Sequence, residues 1–153
     1  MIFMILTKTL LGAGCFWGIE EFFRNINGVQ NTTVGYSGGN FHNPTYEDVC
    51  NKNTGHAEVV LIEFNESILS YSKIIDFFWK CHDPTQLNRQ GPDIGSQYRS
   101  VIFFYSEYQK RIAENSKAEM QKKISQKVVT EIKKVTQFFK AEEYHQCYLK
   151  KNY

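Results

Sequence analysis

Apolar residues recur at two spacings along this chain, and the alternation between them outlines its elements. Thr9-Leu10-Leu11 reads as the end of a strand, after which Phe16, Ile19 and Phe23 fall at helical spacing with Glu20, Glu21 and Arg24 between them. Asn27-Gly28 is a turn, and a loosely alternating strand is expected over 29–36. Pro44 and Thr45 stand at the entry of a short helix over 46–50, and a mostly apolar buried strand follows over 57–64. Ser70 or Ser72 caps the next helix, whose Ile74, Phe77, Phe78 and Cys81 keep the i, i+3, i+4, i+7 rhythm until Asp83-Pro84 ends it.

The rhythm then lapses. Residues 84–97 carry Pro, Gly, Asn and Gln with little apolar periodicity, as functional loops inside compact domains do. A buried strand is expected over 101–105. Ser106 with Gln109 makes a capping-box pattern opening an amphipathic helix to about residue 123. An exposed strand over 128–134 and a last short helix over 142–149 complete the chain. Strands and helices mix without strict alternation, which predicts a single α+β domain over 1–153, helices against one curved sheet.

Composition narrows the function. The 153 residues are 42% hydrophobic and 22% charged, ordinary for a globular protein, with a net charge of +2 that gives no reason to expect nucleic acid or membrane partners. The apolar start over 1–6 is too short to span a bilayer and is expected at an edge of the fold, in a cytoplasmic protein. Aromatic residues are 15% of the chain, enough for some rings to line a site. The four cysteines, at 15, 50, 81 and 147, form no CxxC and no paired metal-ligand spacing, so no metal is expected and scattered thiols suit a reducing compartment.

One stretch carries more chemistry than the rest. Gly14-Cys15-Phe16-Trp17-Gly18 places a cysteine where a strand turns into a helix. Free N–H groups and the positive end of the helix dipole favour a thiolate there, the nucleophilic form. Position alone leaves a second reading open, a small buried Cys in a tight turn. Glu58 lies at the mouth of an apolar strand, where desolvation would raise its pKa and let it carry a proton near neutrality. Tyr46 and Tyr98 sit beside polar loop residues with hydroxyls able to donate, Asp93 could orient a substrate amide or another loop group, and Arg99 could pair with a carboxylate.

Seven motifs in order complete the pattern: Gly14-Cys15-Phe16-Trp17-Gly18 with Glu20, Gly35-Tyr36-Ser37-Gly38-Gly39, Pro44-Thr45-Tyr46, Thr54-Gly55-His56-Ala57-Glu58, His82-Asp83-Pro84-Thr85, Gln97-Tyr98-Arg99-Ser100 and Ala141-Glu142-Glu143-Tyr144-His145-Gln146. Together they resemble the peptide methionine sulfoxide reductases of the A type. The resemblance implies a ferredoxin-like α/β sandwich core and reduction of methionine S-sulfoxide, free or in oxidised proteins, to methionine. It implies Cys15 as the nucleophile and Glu58 as the acid that protonates the sulfoxide oxygen. Tyr46 and Tyr98 would hold that oxygen, Phe16 and Trp17 would receive the S-methyl group, and Asp93 would lie at the substrate site. The product would be a sulfenic acid on Cys15, discharged as a disulfide that thioredoxin, or a small thiol such as dithiothreitol, reduces. No bound cofactor and a monomeric protein are implied.

Many relatives carry resolving cysteines in a glycine-rich tail beyond the last motif, whereas this sequence ends at Tyr153 without one. Cys147, directly after the motif, is then the expected resolving thiol. Cys50 and Cys81 fit buried helix positions, and direct reduction of the sulfenic acid by an external thiol is the alternative. Two other functions remain to be separated from this one. Acyl transfer would need a His beside the thiol, for which His56 is the candidate, and a non-catalytic binding module would use exposed aromatic rings for stacking.

Overall fold

In the computed structural model, residues 6–153 are described, so the expected edge segment over 1–6 lies outside them apart from Leu6. The elements run β1 (Leu6–Ala13), α1 (Phe16–Arg24), β2 (Val29–Ser37), α2 (Tyr46–Asn51), β3 (Ala57–Asn65), α3 (Tyr71–Lys80), β4 (Arg89–Gln90), β5 (Asp93–Ile94), β6 (Ser100–Phe104), α4 (Glu107–Lys123), β7 (Glu131–Lys134), β8 (Phe138–Lys140) and α5 (Tyr148–Asn152). The main sheet has the order β7-β6-β1-β3-β2-β8; its pairs are antiparallel except β6 with β7, which is parallel. This is the expected α+β arrangement of helices on one mixed sheet.

The sheet is buried on both faces, and alternation within each strand sorts the side chains. Leu11, Val34, Val60, Ile62, Phe64 and Ile102 meet Phe16, Ile19 and Phe23 of α1 and Ile74, Ile75 and Phe78 of α3. Their neighbours Leu10, Val59, Val101 and Phe103 face the other way, under Val135 and Phe138. Complete burial of pairs such as Leu10-Leu11 and Val59-Val60 is why those strands read as continuous apolar runs.

Local chemistry at the helix ends follows the sequence. Ser70, rather than Ser72, caps α3 by accepting the Lys73 N–H, and Thr45 with Asp48 makes a full capping box on α2. At α4 only half of the expected box forms. Ser106 accepts the Gln109 N–H, while the Gln109 side chain reaches past it to the N–H of Tyr105 and the carbonyl of Lys8.

Three expectations change. The loop over 84–97 contains a two-residue hairpin, β4 with β5, and a 3-10 turn over Ser96–Tyr98. The strand expected over 128–134 is shortened to β7, because Val128 and Thr130 are buried at its approach, with Gln121 and Lys117 of α4 bonded to their backbones. The expected last helix is interrupted. A 3-10 turn holds Glu143–His145, Cys147 takes a left-handed φ of 50°, and α5 begins only at Tyr148. Among the described residues no helix is long and apolar enough to cross a membrane.

Candidate active site

Central strand β1 delivers Cys15 to its place. Beyond Ala13 the chain turns at Gly14 with φ of 104°, a conformation a side chain rarely adopts, and a Cβ there would also lie 3.0 Å from Gln90. Cys15 follows as the N-cap of α1 and is partly accessible. Its ionisation departs from the sequence expectation. The N–H groups of Trp17 and Gly18 do favour a thiolate, but burial and the nearby Glu58 carboxylate outweigh them and push the thiol up to about 11. At neutral pH the resting side chain is a thiol.

Glu58 comes from the second residue of β3, opposite Tyr36 of β2. Even-numbered positions of β3 face the helices, so Glu58 shares its face with Val60, Ile62 and Phe64 and meets the start of α1. Its Oε1 accepts the Phe16 N–H at 3.1 Å, and its Oε2 is buried with no partner. Desolvation dominates that one hydrogen bond, with Asp93 adding to it, and raises the carboxyl to about 8. The group is therefore mostly protonated at neutral pH, and it is bonded to the residue that follows the thiol.

Aromatic rings close around this pair. The buried Phe16 ring packs near Tyr36, Tyr46 and His145, and the half-buried Trp17 lies near Tyr46 and stacks on Tyr148 with centroids 3.9 Å apart. Tyr98, on the 3-10 turn after β5, and Asp93, on β5, bring the long loop to the same place; the Asp93 charge acts on both Cys15 and Glu58, whose own charges act on Tyr98. Burial holds the Tyr46 phenol well above its ordinary range and Tyr98 up to about 12, so both remain donors. Cys15, Phe16, Trp17, Tyr46, Glu58, Asp93 and Tyr98 thus share one site.

A second layer of the site was not assigned from the residues. Glu142 accepts the Tyr36 hydroxyl at 3.0 Å and the Tyr46 N–H at 2.9 Å, and the Trp17 indole N–H donates to His145 Nδ1 at 2.9 Å. Gln146 bonds both backbone groups of Val34. These residues stand in the last of the seven motifs, and that motif was the only signal for them. Arg99, just before β6, pairs with Glu131 of β7 at 2.7 Å, a carboxylate partner of the kind expected of it. His56 is also committed elsewhere, with Nδ1 accepting the Gly39 N–H and Nε2 on the Phe41 carbonyl, so the His needed for acyl transfer is not beside the thiol.

The other cysteines occupy different surroundings. Cys147 donates its N–H to Glu20 Oε1 at 2.7 Å, and its Sγ lies 3.8 Å from Glu20 Oε2. Cys81 is half-buried against the Phe78 carbonyl, with its thiol pushed up to about 12 by burial. Cys50 is exposed, contrary to the buried position its helix spacing suggested, because Val49 is the residue of α2 that turns inward. No two of the four are joined.

Residues 7–153 match the family model described as peptide methionine sulfoxide reductase. The chain is similar to a peptide methionine sulfoxide reductase MsrA of Methanothermobacter thermautotrophicus, with 53% identity over 147 residues that cover 95% of this chain and 87% of that one. Among solved structures it resembles Mxr1 from Saccharomyces cerevisiae in reduced form, with a TM-score of 0.91, 37% identity and coverage of 96% of this chain and 86% of that one. It also resembles Mxr1 in complex with Trx2, with a TM-score of 0.67, 25% identity and coverage of 97% and 90%.

Proposed function

The chain belongs to the peptide methionine sulfoxide reductase family, and we propose that it reduces the S epimer of methionine sulfoxide, free or in oxidised proteins, with Cys15 as nucleophile. The observation that carries this assignment of roles is the protonated Glu58 carboxyl fixed beside the Cys15 thiol.

Sulfoxide oxygen leaves sulfur only when protonated, and Glu58 supplies that proton. The Tyr46 and Tyr98 hydroxyls donate to the same oxygen as charge gathers on it, and Phe16 and Trp17 receive the S-methyl group. Cys15 attacks the sulfoxide sulfur, and its thiol proton replaces the one Glu58 gave up. Transfer of the hydroxyl to Cys15 then releases methionine, so sulfoxide and thiol become thioether and sulfenic acid. Resting neutrality of both groups suits this exchange. A thiolate beside a carboxylate would be two like charges in a desolvated site, whereas passing one proton through Glu58 keeps the pair near a single charge.

The Cys15 sulfenic acid condenses with a second thiol to a disulfide, which thioredoxin reduces. The complex of the relative Mxr1 with Trx2 supports that reductant. A monomer is the form that the family resemblance implies, and four free thiols suit a reducing compartment such as the cytoplasm.

A single-turnover experiment tests the reading. Reduced protein given methionine S-sulfoxide without other thiols is expected to form about one methionine per chain, and Cys15→Ser none. A Cys15→Ser protein as active as the parent would overturn it.

A further inference from the structure

We propose that Cys50 of α2, rather than Cys147, is the thiol that resolves the Cys15 sulfenic acid; this rests on the reductase reading above. Cys50 lies one turn beyond Tyr46 on α2, and residues four apart share a helix face. That places its thiol beside the Tyr46 hydroxyl and within electrostatic reach of Glu58 and Tyr98; burial holds the thiol above its ordinary range, with the Tyr46 hydroxyl pulling the other way. The Tyr46 ring packs against Phe16 and Trp17, the two residues that follow Cys15. Cys50 is therefore exposed one ring away from the residues that follow Cys15.

The helix that carries it is short and lightly packed. α2 has six residues, of which only Val49 is buried. It follows the Gly38-Gly39 loop and precedes the polar stretch 51–55. Segments with so little buried surface open and shift at small cost. A disulfide requires Cα atoms about 4.4–6.8 Å apart, so a displacement of α2 toward the start of α1 is the movement asked of the fold.

Cys147 is held in the opposite way. Both its N–H and its Sγ face the Glu20 carboxylate. Glu20 is five residues beyond Cys15 on α1, which is about 7.5 Å along the axis and about 140° around it. On one side of Cys147, Gln146 is bonded to both backbone groups of Val34; on the other, Tyr148 is stacked on Trp17. Bringing Cys147 to Cys15 would break the Glu20 contacts and pull on the ring that lines the methyl pocket.

The step balances without an added oxidant. Cys50 sulfur attacks the sulfenic sulfur of Cys15, the S–S bond forms, the S–O bond breaks, and hydroxide leaves as water with the Cys50 proton. Cys15 sulfur is reduced and Cys50 sulfur oxidised to the shared disulfide, which a dithiol protein then opens by exchange.

The test is one turnover of the full chain with methionine S-sulfoxide and no added thiol, followed by dimedone trapping and a cysteine map by mass. In the wild type a Cys15–Cys50 disulfide and little dimedone adduct are expected. Cys50→Ser and Cys50→Ala are expected to form the same single equivalent of methionine but to keep Cys15 as the dimedone adduct. Steady-state turnover with thioredoxin should fall at least tenfold in these variants, while turnover with dithiothreitol falls less. Cys81→Ser should behave as the wild type. A Cys15–Cys147 disulfide, or an unresolved Cys15 sulfenic acid in the wild type, would overturn the assignment while leaving the reductase intact. Failure of the wild type to form methionine would instead overturn the function, and the resolving role with it.

Discussion

Glu58 is tied to Phe16: its Oε1 accepts the Phe16 N–H at 3.1 Å, while Oε2 is buried without a partner. One hydrogen bond thus locks a carboxyl of β3 to the first residue of the helix that Cys15 caps. The free oxygen is the one left to carry the proton. A buried polar atom without a partner is costly, and in the proposed reaction the sulfoxide oxygen would complete the bond.

Replacing Glu58 by Gln keeps an acceptor for Phe16 and removes the transferable proton. The kcat/KM for methionine S-sulfoxide is expected to fall about 10²–10⁴-fold. In the wild type the same parameter should decline as pH rises through about 8, where Glu58 ionises, and that decline should be missing from the variant's residual activity. A Gln variant at wild-type rate would remove Glu58 from the chemistry.

The same carboxyl makes stability depend on pH. Its folded pKa is raised from 4.5 to about 8, so the folded state holds the proton more tightly than the unfolded one. The benefit is full below about pH 4.5 and is lost as pH climbs through about 8. In urea titrations the Glu58→Gln protein should gain on the wild type across that window, by up to about 4–5 kcal/mol at its alkaline end. Parallel stability curves for the two proteins would mean that the carboxyl is hydrated in solution.

Trp17 depends on a neutral imidazole. Its indole N–H donates to His145 Nδ1 at 2.9 Å, and burial lowers the His145 pKa, which keeps that nitrogen an acceptor. In His145→Leu the indole N–H loses its partner, at a cost of about 1–3 kcal/mol in stability. Because Trp17 would then lie loosely in the methyl pocket, KM should rise more than kcat falls. His145→Asn, which restores an acceptor, should recover part of the KM. Equal KM values in all three proteins would leave His145 without a positioning role.

What could be known from the sequence is what ten neighbouring residues settle among themselves. Alternation along β3 already places Glu58 on the face of Val60, Ile62 and Phe64, and the spacing of Phe16, Ile19 and Phe23 places Cys15 at a helix start. Caps at Thr45, Ser70 and Ser106 follow from side chains that reach their own backbone. Only the tertiary structure decided the rest. β8, three residues long, exists because Gly35, Tyr36 and Ser37 offer it an edge to pair with. His145 and Glu142 reach the site across roughly a hundred residues, through partners on α1, α2 and β2 that no local pattern announces. The ionisation of Cys15 shows the difference most plainly. The helix start that favours a thiolate is local and was legible, whereas the burial and the Glu58 charge that outweigh it are supplied by another strand. Hydrogen bonding and periodicity are short-range, but desolvation and charge depend on whatever folding brings near.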